Sequence, residues 1–162
     1  MHTLIIGCPG SGKSTFARRY AEITNLPLVY LDMLFHLPDR TTVPKEVFDE
    51  RLMEVLKGED SIIDGNYRRT IHMRLPYAER VFFFDLPTEV CVEGITKRVG
   101  TRRPDMPWVE EGLDPEFLAG VLGYRDRNID YIYGLLADYS NLDVVIFHSR
   151  EEAESYLKSI TE

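Results

Sequence analysis

Cysteine, tryptophan and long apolar runs are all scarce in this sequence of 162 residues. Its two cysteines are too few for a disulfide framework, which fits a reducing compartment. No apolar run approaches the roughly 18 residues of a membrane-spanning segment, so we expect none. No charged leader precedes the first apolar segment, so we expect no signal peptide. Together these absences predict a soluble cytoplasmic protein.

Basic residues are also in deficit, with 19 against 27 acidic ones and a net charge of −8. This excess of negative charge argues against wholesale binding to nucleic acid or to an anionic membrane. It leaves room for a local basic pocket, and residues 68–103 carry eight basic side chains against four acidic ones. We therefore expect a small-molecule partner, no nucleic acid, and a monomer or a weak dimer.

The segment Gly7–Thr15 reads GCPGSGKST and contains the G-x-x-x-x-G-K-S pattern of a phosphate-binding P-loop. An apolar, β-branched run precedes it and a helical pattern follows, which is the context that the motif requires. Its glycines let successive N–H groups point at one anion, while Lys13 brings charge to the outer phosphates and Ser14 suits Mg²⁺. We predict that the loop binds ATP and Mg²⁺. Its contacting residues are Gly7, Cys8, Pro9, Gly10, Ser11, Gly12, Lys13, Ser14 and Thr15.

Apolar strands alternate with helical patterns along the chain, without repeats or low-complexity linkers. The patterns predict strands at 2–6, 28–31, 61–63, 80–84 and 142–147. They predict helices after the P-loop and at 44–57, 71–75, 89–99, 116–137 and 151–160. Such alternation is typical of the α/β P-loop NTPase three-layer fold, a five-stranded parallel sheet with helices on both faces. We expect residues 1–162 to form one domain, with a short lid at about 100–118.

Two aspartates follow apolar strands, at the sheet edge where parallel α/β folds bind ligands. A single aspartate there is commonly a helix cap or a turn former, but a pair beside a P-loop favours metal or acceptor binding. We predict that Asp64 is the metal-associated carboxylate, beside Ser14 as a metal ligand. Asp32 would face the acceptor and act as general base if the acceptor carries a hydroxyl.

Arginines in the second half of the chain are candidates for binding the transferred phosphoryl group, because phosphoryl transfer depends on positioning and charge neutralisation. Arg98 and Arg102 are four residues apart, the spacing of one helix face. Arg127 lies on the helix predicted after the proline-rich segment, which is suited to act as a lid. We predict catalytic roles for Lys13, Arg98, Arg102 and Arg127, with Asp32 on the acceptor side.

With these residues in place, the chain resembles the adenylate kinase-like branch of P-loop kinases over nearly its whole length. Within that branch it looks most like the DNA topology modulation protein group. The resemblance depends on Asp32-Met33-Leu34, Ile63–Arg68, Phe84–Pro87, Thr101–Met106 and Tyr124–Arg127. It implies that Asp64 is associated with Mg²⁺, that Arg68 contacts an acceptor phosphate, and that Arg98 and Arg127 bind phosphate.

Two positions depart from the adenylate kinase pattern. Phe35 stands where those kinases carry an arginine for the monophosphate, and Gly94 where they carry an arginine that packs on the donor adenine. The lid is also short and has no four-cysteine metal site. These departures leave the ATP site intact and weaken the case for a nucleoside monophosphate acceptor.

The sequence therefore predicts an ATP-dependent phosphotransferase that transfers the γ-phosphate to a nucleoside monophosphate or a similar small phosphorylated acceptor. Asp32, Phe35 and Arg68 would line the acceptor site. Phe35 favours one alternative, a kinase of a hydroxyl-bearing metabolite, whereas Arg68 favours the phosphorylated acceptor. The other alternative is a nucleotide-binding regulatory protein with little turnover.

Overall fold

The computed structural model describes all 162 residues and contains one five-stranded parallel sheet, in the order β2-β3-β1-β4-β5. The strands are β1 (His2–Gly7), β2 (Leu28–Tyr30), β3 (Ile62–Asp64), β4 (Ala78–Phe84) and β5 (Asp143–Phe147). β1 lies at the centre, with Ile5 beside Asp64 of β3 on one side and Phe82 of β4 on the other. The predicted fold class is confirmed.

Eight α-helices connect and cover the strands. They are α1 (Lys13–Thr24), α2 (Leu31–Phe35), α3 (Lys45–Lys57), α4 (Arg68–Arg74), α5 (Thr88–Lys97), α6 (Pro115–Leu122), α7 (Tyr124–Ala137) and α8 (Arg150–Thr161). A single 3₁₀ turn, Leu75–Tyr77, joins α4 to β4. None of the helices combines the length and the apolar character needed to span a membrane.

Aromatic packing holds α1 against the sheet. All six residues of β1 are buried, as expected for a central strand covered on both faces. The ring of Phe16, in the first turn of α1, lies 4.8 Å from that of Phe82 and 5.4 Å from that of Phe84. It also lies 5.3 Å from the ring of Phe147 on β5. Such edge-to-face contacts fix the start of α1, and with it the P-loop, over the end of β1.

The predicted helix at 116–137 is wrong, because the structure has two helices there with Gly123 between them. The Gly123 N–H donates to Ala119 O at 3.0 Å and closes α6. Arg127 of α7 then donates to Gly120 O at 2.8 Å, satisfying a carbonyl that the end of α6 leaves free. Each helix buries one face, and the helical spacing of apolar residues continues across Gly123. The sequence pattern therefore gives no sign that the helix is interrupted.

Two features around the acceptor-side residues also differ from the prediction. Asp32 lies in the first turn of α2 rather than at the end of a strand, and a helix of five residues is too short to show a period. The short helix predicted at 71–75 begins at Arg68 instead. Tyr67, directly before it, has φ of 36°, a left-handed conformation that turns the chain from β3 into the helix.

Gly94 of α5 packs directly on the P-loop backbone. A Cβ added at Gly94 would lie 2.0 Å from Gly10 O, and one added at Gly10 would lie 2.2 Å from Cys91 O. Helix and loop therefore approach so closely that neither position has room for a side chain. This contact explains why position 94 is a glycine.

The close contact at Gly94 leads us to predict how substitutions there change the free energy of unfolding. We expect Gly94→Ala to lower the free energy of unfolding by about 1–3 kcal/mol, because the methyl group must push the P-loop away. The matched change Gly134→Ala, on α7 where an added Cβ meets nothing within 4 Å, should raise it by about 0.5–1 kcal/mol. Urea unfolding followed by circular dichroism measures both. An unchanged Gly94→Ala protein would contradict the close approach.

Candidate active site

The P-loop folds into an open ring of backbone N–H groups at the end of β1. Three of its glycines have positive φ: Gly7 (145°), Gly10 (84°) and Gly12 (100°). No side chain caps the first turn of α1, so its N–H groups stay free for an anion. Lys13 Nζ lies across the loop and donates to Cys8 O at 3.0 Å. The ring therefore offers N–H donors and the Lys13 ammonium to a phosphate group.

Asp64 has the features expected of a metal-associated carboxylate. Ser14 Oγ donates to its Oδ2 at 2.7 Å, while its Oδ1 is buried without a hydrogen-bond partner. Burial raises the pKa of Asp64 to about 6, against the opposing effects of Lys13 and the Ser14 hydrogen bond. Asp32 and Asp105 raise that pKa further through their negative charge.

This donor set fits Mg²⁺. A hydroxyl and a carboxylate with a free oxygen are the hard oxygen ligands that the ion prefers. No group of three or more His, Cys, Asp or Glu side chains converges to hold a metal by itself. That also fits Mg²⁺, which usually keeps several waters and takes further oxygens from substrate phosphates.

A cavity of about 440 Å³ beside the P-loop, here called the donor cavity, is strongly basic. Its acidic lining residues are only Asp105 and Glu154. Its basic lining residues are Lys13, Arg18, Arg19, Lys97, Arg98, Arg103 and Arg150. Arg150, from the start of α8, donates to Gly10 O at 2.8 Å and so also braces the loop. An acidic protein thus concentrates cations at one place, which suits an anionic ligand.

A second, larger cavity of about 1040 Å³, here called the acceptor cavity, opens on the other side of the P-loop. Its aromatic lining residues are Tyr30, Phe35, Tyr67, Trp108, Phe117 and Tyr124. Trp108 Nε1 and Asn128 Oδ1 are buried there without partners, so a bound molecule can hydrogen-bond to both. The two cavities share five lining residues: Lys13, Ser14, Arg98, Arg103 and Asp105.

The turn after β3 links the P-loop to the acceptor cavity. Asn66 Oδ1 accepts a hydrogen bond from Gly7 N at 3.1 Å and another from Tyr124 Oη at 2.8 Å. Tyr67 Oη donates to Asp32 Oδ1 at 2.6 Å and so orients that carboxylate. One turn therefore positions the loop, α7 and the carboxylate of α2 relative to one another.

Arg74 holds this turn from beneath. Its side chain is fully buried and donates to Gly65 O at 2.8 Å, to Tyr67 O at 3.2 Å and to Asn66 O. Burial lowers the pKa of Arg74 to about 9, although the charge of Asp64 works in the opposite direction. A buried guanidinium bound to three consecutive carbonyls fixes a backbone that would otherwise have unpaired acceptors.

The segment between α5 and α6 lies across the junction of the two cavities. Arg103 Nη2 is 2.7 Å and Arg98 Nε 3.4 Å from Glu110 Oε1, and all three side chains are largely buried. On the far side, Arg40 donates to Glu111 at 3.0 Å and to Val109 O at 3.3 Å. The segment is thus attached to both walls of the site, and Glu110 occupies arginine donors that a phosphate group would also use.

The structure brings Lys13, Ser14, Asp64 and Arg98 together, but it does not place Arg102 with them. Arg102 is exposed and lines neither cavity. Helix α5 ends at Lys97, so the helical spacing assumed for residues 98 and 102 does not apply. Its neighbour Arg103 lines both cavities instead, so Arg103 rather than Arg102 lies with the other predicted arginine, Arg98.

Other predicted residues lie at the margins of the site. Arg68 and Arg127 are exposed at the rim of the acceptor cavity, with the Arg68 guanidinium 4.0 Å from the centre of the Tyr131 ring. Phe35 lines the same cavity and packs on Phe48, with ring centroids 5.5 Å apart. Cys8 is a buried residue of the P-loop, and contact with the Cys91 thiol and burial raise its pKa.

Sequence reasoning missed several residues of the site. They are Asn66, Tyr67, Arg74, Arg103, Asp105, Glu110 and Arg150. Arg103 and Asp105 stand within the Arg-Pro-Asp-Met segment that carries part of the family resemblance, so that motif was an available signal. Asn66 and Tyr67 stand within Ile63–Arg68, another segment that carries the resemblance, and so had the same kind of signal. Arg74, Glu110 and Arg150 reach the site through tertiary contacts, and no local pattern marks them.

A family model described as AAA domain (dynein-related subfamily) matches residues 2–97, which is more than half of the chain. The chain belongs to this AAA family. The matched AAA region runs from β1 to the end of α5 and includes the P-loop and Asp64. The segment carrying Arg103 and Asp105 follows it. No curated protein matches the sequence significantly.

Solved structures similar to this AAA-family chain include two shikimate kinases. The enzyme from Bacteroides thetaiotaomicron has a TM-score of 0.63 at 16% identity, over 99% of this chain and 96% of that one. The enzyme from Aquifex aeolicus vf5 has a TM-score of 0.59 at 18% identity, over 99% and 94%. At such identity the likeness shows the fold, including the part beyond residue 97.

The buried carboxylate of Asp64 predicts a pH-dependent stability. The folded pKa near 6 lies above the unfolded value of 3.8, so the ionised group costs folding free energy above pH 6 and nothing below pH 4. We expect Asp64→Asn to raise the free energy of unfolding at pH 8 by up to about 3 kcal/mol, with the gain shrinking between pH 6 and pH 4.

Urea unfolding at several pH values measures this gain. Asp130→Asn, which removes an exposed charge from α7, is the control and should show no such trend. A gain for Asp64→Asn that stays constant from pH 4 to pH 8 would contradict the buried ionised carboxylate.

Proposed function

We propose that this protein is an ATP-dependent phosphotransferase that transfers the γ-phosphate of ATP–Mg²⁺ to a small acceptor. The observation that carries the proposal is the junction of a P-loop cavity with a larger aromatic cavity at Lys13, Ser14, Arg98, Arg103 and Asp105. A protein that only binds a nucleotide needs the first cavity alone. The likeness to two solved shikimate kinases supports a kinase.

The donor half consists of the P-loop and its neighbours. Free backbone N–H groups of the P-loop and of the first turn of α1 bind the phosphates, and Lys13 moves from Cys8 O to the β- and γ-oxygens. Ser14 and Asp64 would hold Mg²⁺, which when bound neutralises developing phosphate charge. The Ser14 hydroxyl, which donates to Asp64 in this structure, would offer its oxygen to the ion.

Arg98 and Arg103 stabilise the transferring phosphoryl group in this proposal. Both line the junction, and both are paired with Glu110. Incoming phosphate oxygens compete with Glu110 for the same N–H donors, so the arginines are already oriented toward the reacting group. Arg127 at the rim of the acceptor cavity contributes charge from the other side.

We propose a nucleoside monophosphate or a similar small phosphorylated compound as the acceptor. Arg40, Arg68 and Arg127 surround the acceptor cavity and offer donors to its phosphate. The aromatic lining, which includes Phe35, suits a ring. A phosphorylated acceptor needs no general base, because its attacking oxygen is already anionic.

One contact favours a hydroxyl-bearing acceptor as the second candidate. Asp32 faces the acceptor cavity with one oxygen oriented by Tyr67 at 2.6 Å, the arrangement expected of a general base. Arg68, in contrast, stacks on Tyr131 at the rim of the cavity. A metabolite with a reactive hydroxyl would therefore use Asp32 directly.

We further propose that the chain belongs to the adenylate kinase-like branch, near the DNA topology modulation protein group. Arg103-Pro104-Asp105-Met106 supports this placement. The chain would act as one domain with residues 100–118 as its lid, in the cytoplasm, as a monomer or a weak dimer. A nucleotide-binding regulator with little turnover is the third candidate, and the experiment below distinguishes it.

Measurement of ADP production from ATP–Mg²⁺ over a panel of nucleoside monophosphates and hydroxyl-bearing metabolites tests the proposal. We expect one member to stimulate turnover and Lys13→Ala to abolish the stimulation, because Lys13 neutralises the outer phosphates. A stimulating monophosphate supports the first acceptor class, and a stimulating alcohol supports the second. Tight ATP binding without any stimulation would refute the phosphotransferase and leave the regulator.

The inward arginine provides a sharper prediction. We expect Arg103→Met to lower acceptor-stimulated kcat by about 10²–10³-fold, the usual effect of losing one group that stabilises transition-state charge. Arg102→Met, which removes the adjacent exposed charge, should leave kcat nearly unchanged. Initial-rate kinetics on both variants make the comparison. Equal losses would contradict the inward placement of Arg103.

A further inference from the structure

Asp105 is a buried carboxylate with one oxygen unused. It lies in the segment between α5 and α6 with 4% of its surface exposed. Its Oδ2 accepts from Arg103 Nη1 at 3.2 Å, whereas Oδ1 is buried and has no hydrogen-bond partner. A carboxylate oxygen without a partner is costly to bury, so a bound group is expected to satisfy it.

The position of Asp105 limits what that group can be. Asp105 lines both the donor cavity and the acceptor cavity, together with Lys13 and Ser14. Its carboxylate therefore faces the place where the terminal phosphate of a nucleotide would lie. Two anions repel each other there unless a cation or a donor hydroxyl lies between them.

Asp64, which also lines the acceptor cavity, presents the same feature. Its Oδ1 is also buried and unpartnered, and it belongs to the same cavity lining. The two carboxylates are close enough for the charge of Asp105 to raise the pKa of Asp64. Arg103 offsets only part of this negative charge, because its other arm is bound to Glu110.

We propose that Asp105 and Asp64 together hold the nucleotide-bound divalent cation through its water shell, so that the segment between α5 and α6 takes part in binding the metal. The inference depends on the donor half of the proposed function and not on the identity of the acceptor. It assigns to Asp105 a role that its own motif does not reveal. In this proposal the bound ion also helps to hold the segment between α5 and α6 over the site.

The test is the gain in affinity that Mg²⁺ confers on a non-hydrolysable ATP analogue. Calorimetric titration in Mg²⁺ and in EDTA measures it for the wild-type protein and for Asp105→Asn. We expect the Mg²⁺-dependent gain to fall about tenfold in Asp105→Asn, the lower end of the effect of removing an outer-shell metal partner. Affinity in EDTA should rise, because a negative charge near the phosphates is gone.

Asp130→Asn is the matched control, since it makes the same change at an exposed position that lines neither cavity. Asp64→Asn should lose the Mg²⁺-dependent gain as Asp105→Asn does. Thermal melting of each variant confirms that it is folded before the titrations are compared.

A gain in Asp105→Asn equal to that in Asp130→Asn would overturn the inference. So would an unchanged gain accompanied by lost acceptor-stimulated turnover, which would make Asp105 an acceptor-side group. Mg²⁺-dependent binding that is reduced in Asp105→Asn, in a protein without turnover, would support the inference and refute the phosphotransferase. A wild-type protein that does not bind the analogue at all would refute both.

Discussion

The hydrogen bond between Ser14 and Asp64 is the interaction on which the site depends. It joins the first turn of α1 to the end of β3, beside the central strand, and it holds a carboxylate in the protein interior. Burying that charge costs free energy, which Lys13 and Ser14 offset only in part. A costly group at the end of a central strand is typical of functional sites rather than of stabilising ones. The P-loop, the turn at Asn66 and the segment between α5 and α6 are all arranged around it.

Charge is distributed very unevenly in this molecule. The chain is acidic overall, yet seven basic side chains line the donor cavity. Glu110 and Asp105 keep the innermost of these cations in place without removing them from the junction. Salt bridges of this kind are exchangeable, because a phosphate oxygen offers the same arginines an equal or stronger partner. The site is thus organised in advance of ligand binding, with Glu110 on arginine donors that a phosphate would use.

The two departures from the adenylate kinase pattern have a packing explanation. Gly94 lies against the carbonyl of Gly10, so a side chain there would displace the P-loop itself. Phe35 packs edge-on against both Phe48 and Tyr67, and Tyr67 in turn orients Asp32. Both substitutions preserve the loop while changing what surrounds it. The AAA family match, which covers the first three-fifths of the chain, includes the P-loop as well as Asp32, Phe35 and Arg68.

The amino-acid sequence determined the fold class, the P-loop and the strand-end position of Asp64, because each depends on local period, glycine placement or a contiguous motif. It did not determine the break at Gly123 or the five-residue α2, since neither changes the apolar pattern. It also could not distinguish Arg102 from Arg103, because the direction of a side chain in an irregular segment is decided by the surface that it packs on. Arg74, Glu110 and Asp105 became visible only in the tertiary structure, where residues far apart in the chain share one buried space and their charges must balance.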